Sequence, residues 1–212
     1  MRVDIWSDVV CPWCYVGKAR FEKALDAFGH RDEVEVVYHS FELDPDFPRD
    51  SGGETNLQML SRKYGMSPDQ ARQAEGQLAA LAQAEGLGFD AERPVGNTFD
   101  LHRVIQLGLA KGVQRELVSA VNEAYFARAR QVFDPAVLTE VAAGAGLDPA
   151  AVTEVLGGDG YAAQVREDET TARELGISGV PFYAFDMSLA VSGAQPTELF
   201  TRALDQARER QA

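Results

Sequence analysis

The chain has 212 residues, 45% of them hydrophobic, enough to bury a full core without disulfide staples or a structural metal. Its 20 Lys and Arg against 33 Asp and Glu leave a net charge of −13, which argues against a surface that tracks nucleic-acid phosphates. No apolar run approaches the roughly 18 residues of a spanning helix, and Met1–Asp8 carries two acids where a secretory leader would be apolar. A soluble, cytoplasmic protein without membrane or nucleic-acid partners is expected.

In chain order, Val3 and Ile5 alternate with Arg2 and Asp4, the pattern of a strand. Cys11-Pro12-Trp13-Cys14 follows directly. Beyond it the period changes to that of a helix, with Phe21, Leu25 and Phe28 on one face and Gly29 as the expected stop. Val34, Val36 and Tyr38 within Glu33–Phe41 predict a second strand.

After Asp44-Pro45 strand signals vanish. Ser67-Pro68-Asp69-Gln70 has the form of a capping box with proline at the first helical position, and Asp134-Pro135 and Asp148-Pro149 repeat the cap-then-proline device. With Gly65, Gly86, Gly112, Gly144 and Gly157 as stops, about five or six helices are expected up to Gly158. Asn97, Thr98 and Asp100 are read as caps of the helix that carries His102.

A helix across Tyr161–Leu175 is then expected, followed by a turn at Gly176–Gly179 and an apolar run, Val180–Phe185. Leu189 and Val191 suggest its partner strand, and Pro196 opens a last helix with Leu199, Phe200, Ala203, Leu204 and Ala207 on one face. The two ends of the chain therefore predict an α/β fold, a mixed central sheet with flanking helices, interrupted by an all-helical insertion. The expected division is 1–45 with 159–212 for the sheet domain and 46–158 for the insertion.

The chemistry concentrates on the two cysteines. Disulfide exchange needs an attacking thiolate and a second thiol to resolve the mixed disulfide, and a spacing of three at a helix start supplies both. Cys11, at the positive end of the helix, is the expected exposed nucleophile, and Cys14, one turn in, the shielded resolving thiol. Pro12 suits the first turn because its missing N–H would be unpaired there. Zinc would need a second ligand pair, and His30, His39 and His102 are not spaced as one; two inert buried thiols remain the other structural reading. Pro181 should open its strand, with a cis bond to Val180, because proline is poorly tolerated inside a central strand. If it lies beside Cys11, the Val180 backbone is left to pair with an extended substrate. Asp8 is read as an exposed strand-end acid with a possible part in proton transfer, and Tyr15, Phe41 and Phe182 as core.

Ser7-Asp8-Val9-Val10-Cys11-Pro12-Trp13-Cys14, Phe41-Glu42-Leu43-Asp44-Pro45, Asn97–Arg103 and Gly179-Val180-Pro181-Phe182, in that order over nearly the whole chain, resemble the DsbA family of the thioredoxin superfamily, and within it the cytosolic FrnE-like branch. The resemblance implies a thioredoxin-like fold with a DsbA-like helical insertion and dithiol–disulfide exchange on protein substrates, as oxidase or isomerase, with no metal or organic cofactor. It assigns the nucleophile to Cys11, the resolving thiol to Cys14 and the cis-proline of the substrate platform to Val180-Pro181, with Pro12 and Trp13 completing the active-site motif. Trp13 stands where the periplasmic oxidases of the family carry a histidine, which implies a less stabilised thiolate and a less oxidising couple here. Protein or peptide thiols and disulfides are the implied partners, with glutathione as a candidate redox partner; the oligomeric state is left open. Two alternatives stand beside this reading. One is a glutathione-binding enzyme like the kappa-class transferases or 2-hydroxychromene-2-carboxylate isomerases, which usually have serine at the position of Cys11. The other is a non-catalytic chaperone or peptide-binding module.

Overall fold

A computed structural model describes residues 1–50 and 52–211 of the chain. It divides into two compact units: Met1–Leu43 with Ala163–Ala212, and Asp44–Ala162. The division falls at 43/44 and 162/163, where the sequence reading places it at 45/46 and 158/159.

The first unit holds a four-stranded mixed sheet in the order β2-β1-β3-β4, from β1 (Arg2–Ser7), β2 (Glu35–Ser40), β3 (Phe182–Phe185) and β4 (Leu189–Ser192). β1 runs parallel to β2, with Trp6 opposite His39, and antiparallel to β3, with Ile5 opposite Tyr183. This is the expected thioredoxin-like architecture with a helical insertion. Helices α1 (Pro12–Ala27) and α9 (Thr197–Glu209) cover one face, where Phe21, Tyr183 and Phe200 pack ring against ring at centroid distances of 4.7–5.7 Å. On the other face Trp6 and Ala184 meet Ala172 and Ile177, and Phe41, Val180 and Phe182 pack on that cluster. With both faces of the sheet covered, the polar–apolar alternation expected of β1 does not mark inside from outside: Asp4 is as buried as Val3 and Ile5. The first helix also ends differently from expectation. Phe28 leaves it in an extended conformation, and Gly29 takes no left-handed turn.

A buried carboxylate needs partners, and Asp4 finds them in Arg2 and in His39 of β2 (2.7 Å to Nε2). The other ring nitrogen of His39 bonds Asp168 (2.7 Å) on α8 (Ala162–Glu174), and the ring stacks on Trp6 at 4.6 Å. Asp168 also accepts the Ser40 N–H, and its carbonyl accepts from the Trp6 indole. Burial would lower the His39 pKa, but its hydrogen bonds to Asp168 and Asp4 overturn that and raise it to about 9. Three residues beyond His39, Glu42, its side chain wholly buried, pairs with Arg166. Burial, and then a hydrogen bond with Glu169, push Glu42 up to about 7 against the pull of Arg166. Helix α8 thus clamps the end of β2 through charge as well as apolar packing.

The second unit contains α2 (Asn56–Tyr64), α3 (Pro68–Ala84), α4 (Phe99–Lys111), α5 (Gln114–Asn122), α6 (Pro135–Gly144) and α7 (Pro149–Gly157), with a π-helical segment, Glu123–Ala127, continuing α5. The caps are those expected: Ser67 with Gln70, Asp134 and Asp148 close the helix starts, and Gly65 and Gly112 end α2 and α4 in the left-handed conformation. Asn97, not Thr98, supplies the side-chain bond at the start of α4, accepting from Phe99 N–H at 3.0 Å. Gly144 and Gly157 close α6 and α7 as the last helical residues, and the left-handed turn after α6 falls on Gly146.

Two buried arginines organise this unit. Arg93 pairs with Glu75 (2.9 Å) and lies over the rings of Phe89 (4.3 Å), Phe126 (5.1 Å) and Tyr125 (5.6 Å). Arg103 donates to the carbonyls of Val155, Gly158 and Gly160, satisfying the end of α7. That anchoring explains why the chain up to Ala162 belongs to the helical unit rather than to the sheet.

Two predictions follow from these ion pairs. The His39 contribution is fully present below the unfolded pKa of about 6.5 and is lost as pH rises through about 9. Urea unfolding should therefore show wild-type stability falling by on the order of 3 kcal/mol across that window, with the fall removed in His39→Gln. In the helical unit, Glu75→Ala leaves Arg93 buried and uncompensated and should cost about 3–5 kcal/mol by the same measurement, more than Arg93→Met with its partner also replaced, Glu75→Leu.

Candidate active site

The site grows from the junction of β1 and α1. Pro12 occupies the first turn of α1, its ring fitting where no N–H is needed, and Cys11 is the N-cap residue with extended backbone (φ −79°, ψ 113°). A cysteine there receives the helix's free N–H groups while its sulfur stays outside the helical hydrogen-bond ladder. Cys14 lies one turn further in. Both are free thiols.

Contrary to the sequence reading, Cys11 is not exposed: it retains only 4% accessibility, about that of Cys14 at 3%. The difference between the two thiols is electrostatic instead. The Cys14 side chain hydrogen-bonds Cys11 and holds it below the ordinary thiol range; burial opposes this, the N–H groups of Cys14 and Trp13 support it, and the Asp8 carboxylate works against it. Cys14 is driven well above the ordinary range, first by burial and then by the hydrogen bond and charge of Cys11, which the Ser7 hydroxyl and the Asp8 N–H only partly offset. Thiolate character therefore collects on Cys11.

Asp8 is a second correction. Rather than an exposed strand-end acid it is 1% accessible, and its carboxylate accepts the Leu43 N–H at 2.8 Å while its carbonyl accepts Cys11 N–H at 3.1 Å. It ties the Cys11 loop to the turn that follows β2. Trp13 is the exposed member of the motif, at 45%.

The Val180–Pro181 peptide bond is cis, and Pro181 stands immediately before β3. The structure brings it to the cysteines: Cys11 Sγ donates to the Val180 carbonyl at 3.7 Å. That carbonyl is therefore occupied in the dithiol form, and the Val180 N–H makes no hydrogen bond among the described residues. Tyr15 is buried, and Phe41 and Phe182 serve the core, as read from the sequence. Sequence reasoning missed three residues. Ser7 was visible only as part of the motif, Tyr183 as an apolar strand position, and Gly17 as a glycine inside a helical run, the one of the three with a sequence signal. Among the described residues no group of three or more His, Cys, Asp or Glu side chains is arranged to hold a metal, and no helix is long and apolar enough to cross a membrane.

A thioredoxin-like sheet with two cysteines three apart at the first turn of the helix after β1, and a cis-proline against the first of them, defines the thioredoxin class of folds. The chain belongs to the DSBA-like thioredoxin domain family, whose model matches residues 2–205. Its fold is shared, at a TM-score of 0.92 and 52% identity, with a probable DsbA oxidoreductase from Streptomyces coelicolor, over 99% of this chain and 90% of that one. It is also similar to the cytosolic disulfide reductase DsbM from Pseudomonas aeruginosa, solved with GSH (TM-score 0.66, 17% identity, 98% of this chain and 100% of that one). A 2-hydroxychromene-2-carboxylate isomerase shares the fold at a TM-score of 0.68 and 16% identity, over 100% of this chain and 98% of that one.

The thiol asymmetry has a direct readout. With the reduced chain at pH 7, iodoacetamide should modify Cys11 alone, as read by peptide mass, and Cys14 should react only after unfolding; Cys11→Ser should leave the folded chain without a reactive thiol.

Proposed function

We propose that the chain is a protein thiol–disulfide oxidoreductase or isomerase of the FrnE-like branch, with Cys11 as nucleophile and Cys14 as resolving thiol. The single observation that carries the reading is the pair's geometry: one thiol lowered at a helix N-cap, the other raised behind it and bonded to it. In the reaction the Cys11 thiolate attacks one sulfur of a substrate disulfide and forms a mixed disulfide, and the other substrate sulfur leaves as thiolate. Cys14 gives up its proton, attacks Cys11 Sγ and releases the second substrate thiolate. Two electrons have then passed from the dithiol to the substrate, and the reverse sequence oxidises a substrate dithiol. Isomerisation uses the first step alone, with a substrate thiol displacing Cys11.

The residue before the cis-proline supplies the binding edge. An extended peptide entering beside Cys11 pairs with the free N–H of Val180, while Trp13 offers an exposed apolar surface between the two cysteines. The chemistry calls for no metal or organic cofactor, and protein or peptide thiols and disulfides are its substrates. The cytoplasm is the proposed compartment, where the glutathione poise holds the pair mostly reduced and glutathione itself closes the cycle. Trp13 brings no cation to Cys11, which favours reduction or isomerisation over net oxidation.

A glutathione-dependent transferase or isomerase is the second reading, supported by the fold shared with the 2-hydroxychromene-2-carboxylate isomerase. Retention of both thiols, with Cys14 in hydrogen-bond contact with Cys11, favours the dithiol reading. The deciding experiment equilibrates the chain with a glutathione buffer series and counts free thiols by alkylation and mass. Reversible two-electron formation of the Cys11–Cys14 disulfide is the expected result, and Cys14→Ser should accumulate mixed disulfides with lysate proteins on Cys11. A chain that forms no internal disulfide at any poise, yet binds glutathione saturably in the Cys14→Ser form, overturns the dithiol mechanism in favour of the second reading.

A further inference from the structure

Gly17 lies in the second turn of α1, three residues past Cys14, in ordinary helical backbone. Its position is therefore explained by space rather than by backbone freedom. A Cβ at this position would meet the Tyr183 hydroxyl at 2.8 Å, Pro181 Cγ at 3.0 Å and Ala194 Cα at 3.3 Å. None of the three yields easily. The Tyr183 ring is buried between Phe21 (5.4 Å) and Phe200 (4.7 Å), the Pro181 carbonyl is held by Gly193 N–H at 2.8 Å, and the Ala194 carbonyl is held by Arg20 of α1 at 2.7 Å. The absent side chain is the gap into which the start of β3 docks against the helix that carries both cysteines.

The contact matters for the chemistry because the residue joined to Pro181 touches Cys11. We propose that Gly17 is a positioning residue, which sets how closely the Val180–Pro181 backbone approaches the Cys11 thiol. Any side chain at 17 presses Pro181 away from α1 and takes Val180 with it. The Sγ···O contact, 3.7 Å in the native chain, then lengthens past hydrogen-bond range. A carbonyl that accepts from the thiol stabilises its neutral form and opposes its thiolate, so withdrawing it favours the thiolate. The native close approach tempers the nucleophile and keeps the edge that reads an extended substrate next to the sulfur that attacks it. The meaning for catalysis rests on the dithiol reading above.

The test is the pH profile of iodoacetamide alkylation at Cys11 in the full chain, followed by peptide mass. For Gly17→Ala the midpoint should fall by about half a pH unit, roughly a threefold gain in thiolate below the midpoint. Gly76→Ala, a mid-helix change into open space, should leave it unchanged. Adding Tyr183→Phe to Gly17→Ala removes the atom at 2.8 Å and should return the midpoint part of the way. A folded Gly17→Ala chain with the wild-type midpoint overturns the proposal, as does a double variant that recovers nothing. If Gly17→Ala alone does not fold, the double variant is compared with Tyr183→Phe, where an unchanged midpoint again overturns it. The alkylation profile reads the thiol itself. A wild-type chain that exchanges with no disulfide would sink the oxidoreductase reading while leaving the Gly17 result intact.

Discussion

Two sulfur atoms share one hydrogen bond at the first turn of α1, and it favours Cys11 as the anion while burial and the same bond disfavour Cys14. Cys11 sits where the helix leaves its N–H groups unspent; Cys14 sits inside, where burial penalises charge. Nearly everything else in the first unit serves to hold that difference. β1 delivers the chain to the helix start, Asp8 ties the intervening loop to the turn after β2, and β3 brings a carbonyl to the Cys11 sulfur. Because both thiols are almost equally inaccessible, local electrostatics and not exposure distinguishes them.

A second polar arrangement lies on the opposite face of the sheet. Asp4, His39, Asp168 and Glu42 are drawn into a largely apolar interior and need polar partners there, Glu42 finding one in the half-exposed Arg166. They fasten α8 to the end of β2, and so to the loop that Asp8 grips. Glu42 of this cluster adjoins Leu43, whose N–H the Asp8 carboxylate accepts, so the cluster and the Cys11 loop meet at one turn. The helical unit solves the same problem separately, with Arg93 caged by three rings and Arg103 stopping α7.

Much of the architecture was legible because it rests on local rules. Proline after Ser67, Asp134 and Asp148 announces helix starts through a missing N–H and a capping oxygen, and these need no tertiary partner. The change from period 2 to period 3.6 at Cys14 is equally local, and it placed the cysteine pair at a helix start. Where the reading failed, an interaction between distant segments had overridden the local pattern. Asp8 looks like an exposed acid until Leu43, 35 residues on, supplies a donor. Gly29 looks like a stop until Phe28 leaves the helix first, in an extended conformation and with its side chain buried.

The sequence by itself determined that the chain makes an α/β fold with a helical interruption and carries two thiols at a helix N-terminus, because spacing, proline placement and periodicity are properties of short segments. Only the tertiary structure decided which thiol is favoured toward the thiolate, that Cys11 is buried, that His39 lies between two carboxylates, and that Gly17 is the gap into which Pro181 fits. Those depend on contacts between residues up to about 170 positions apart, such as Cys11 and Val180, and the energy of such a contact is set by distance and burial, which no run of neighbouring residues encodes.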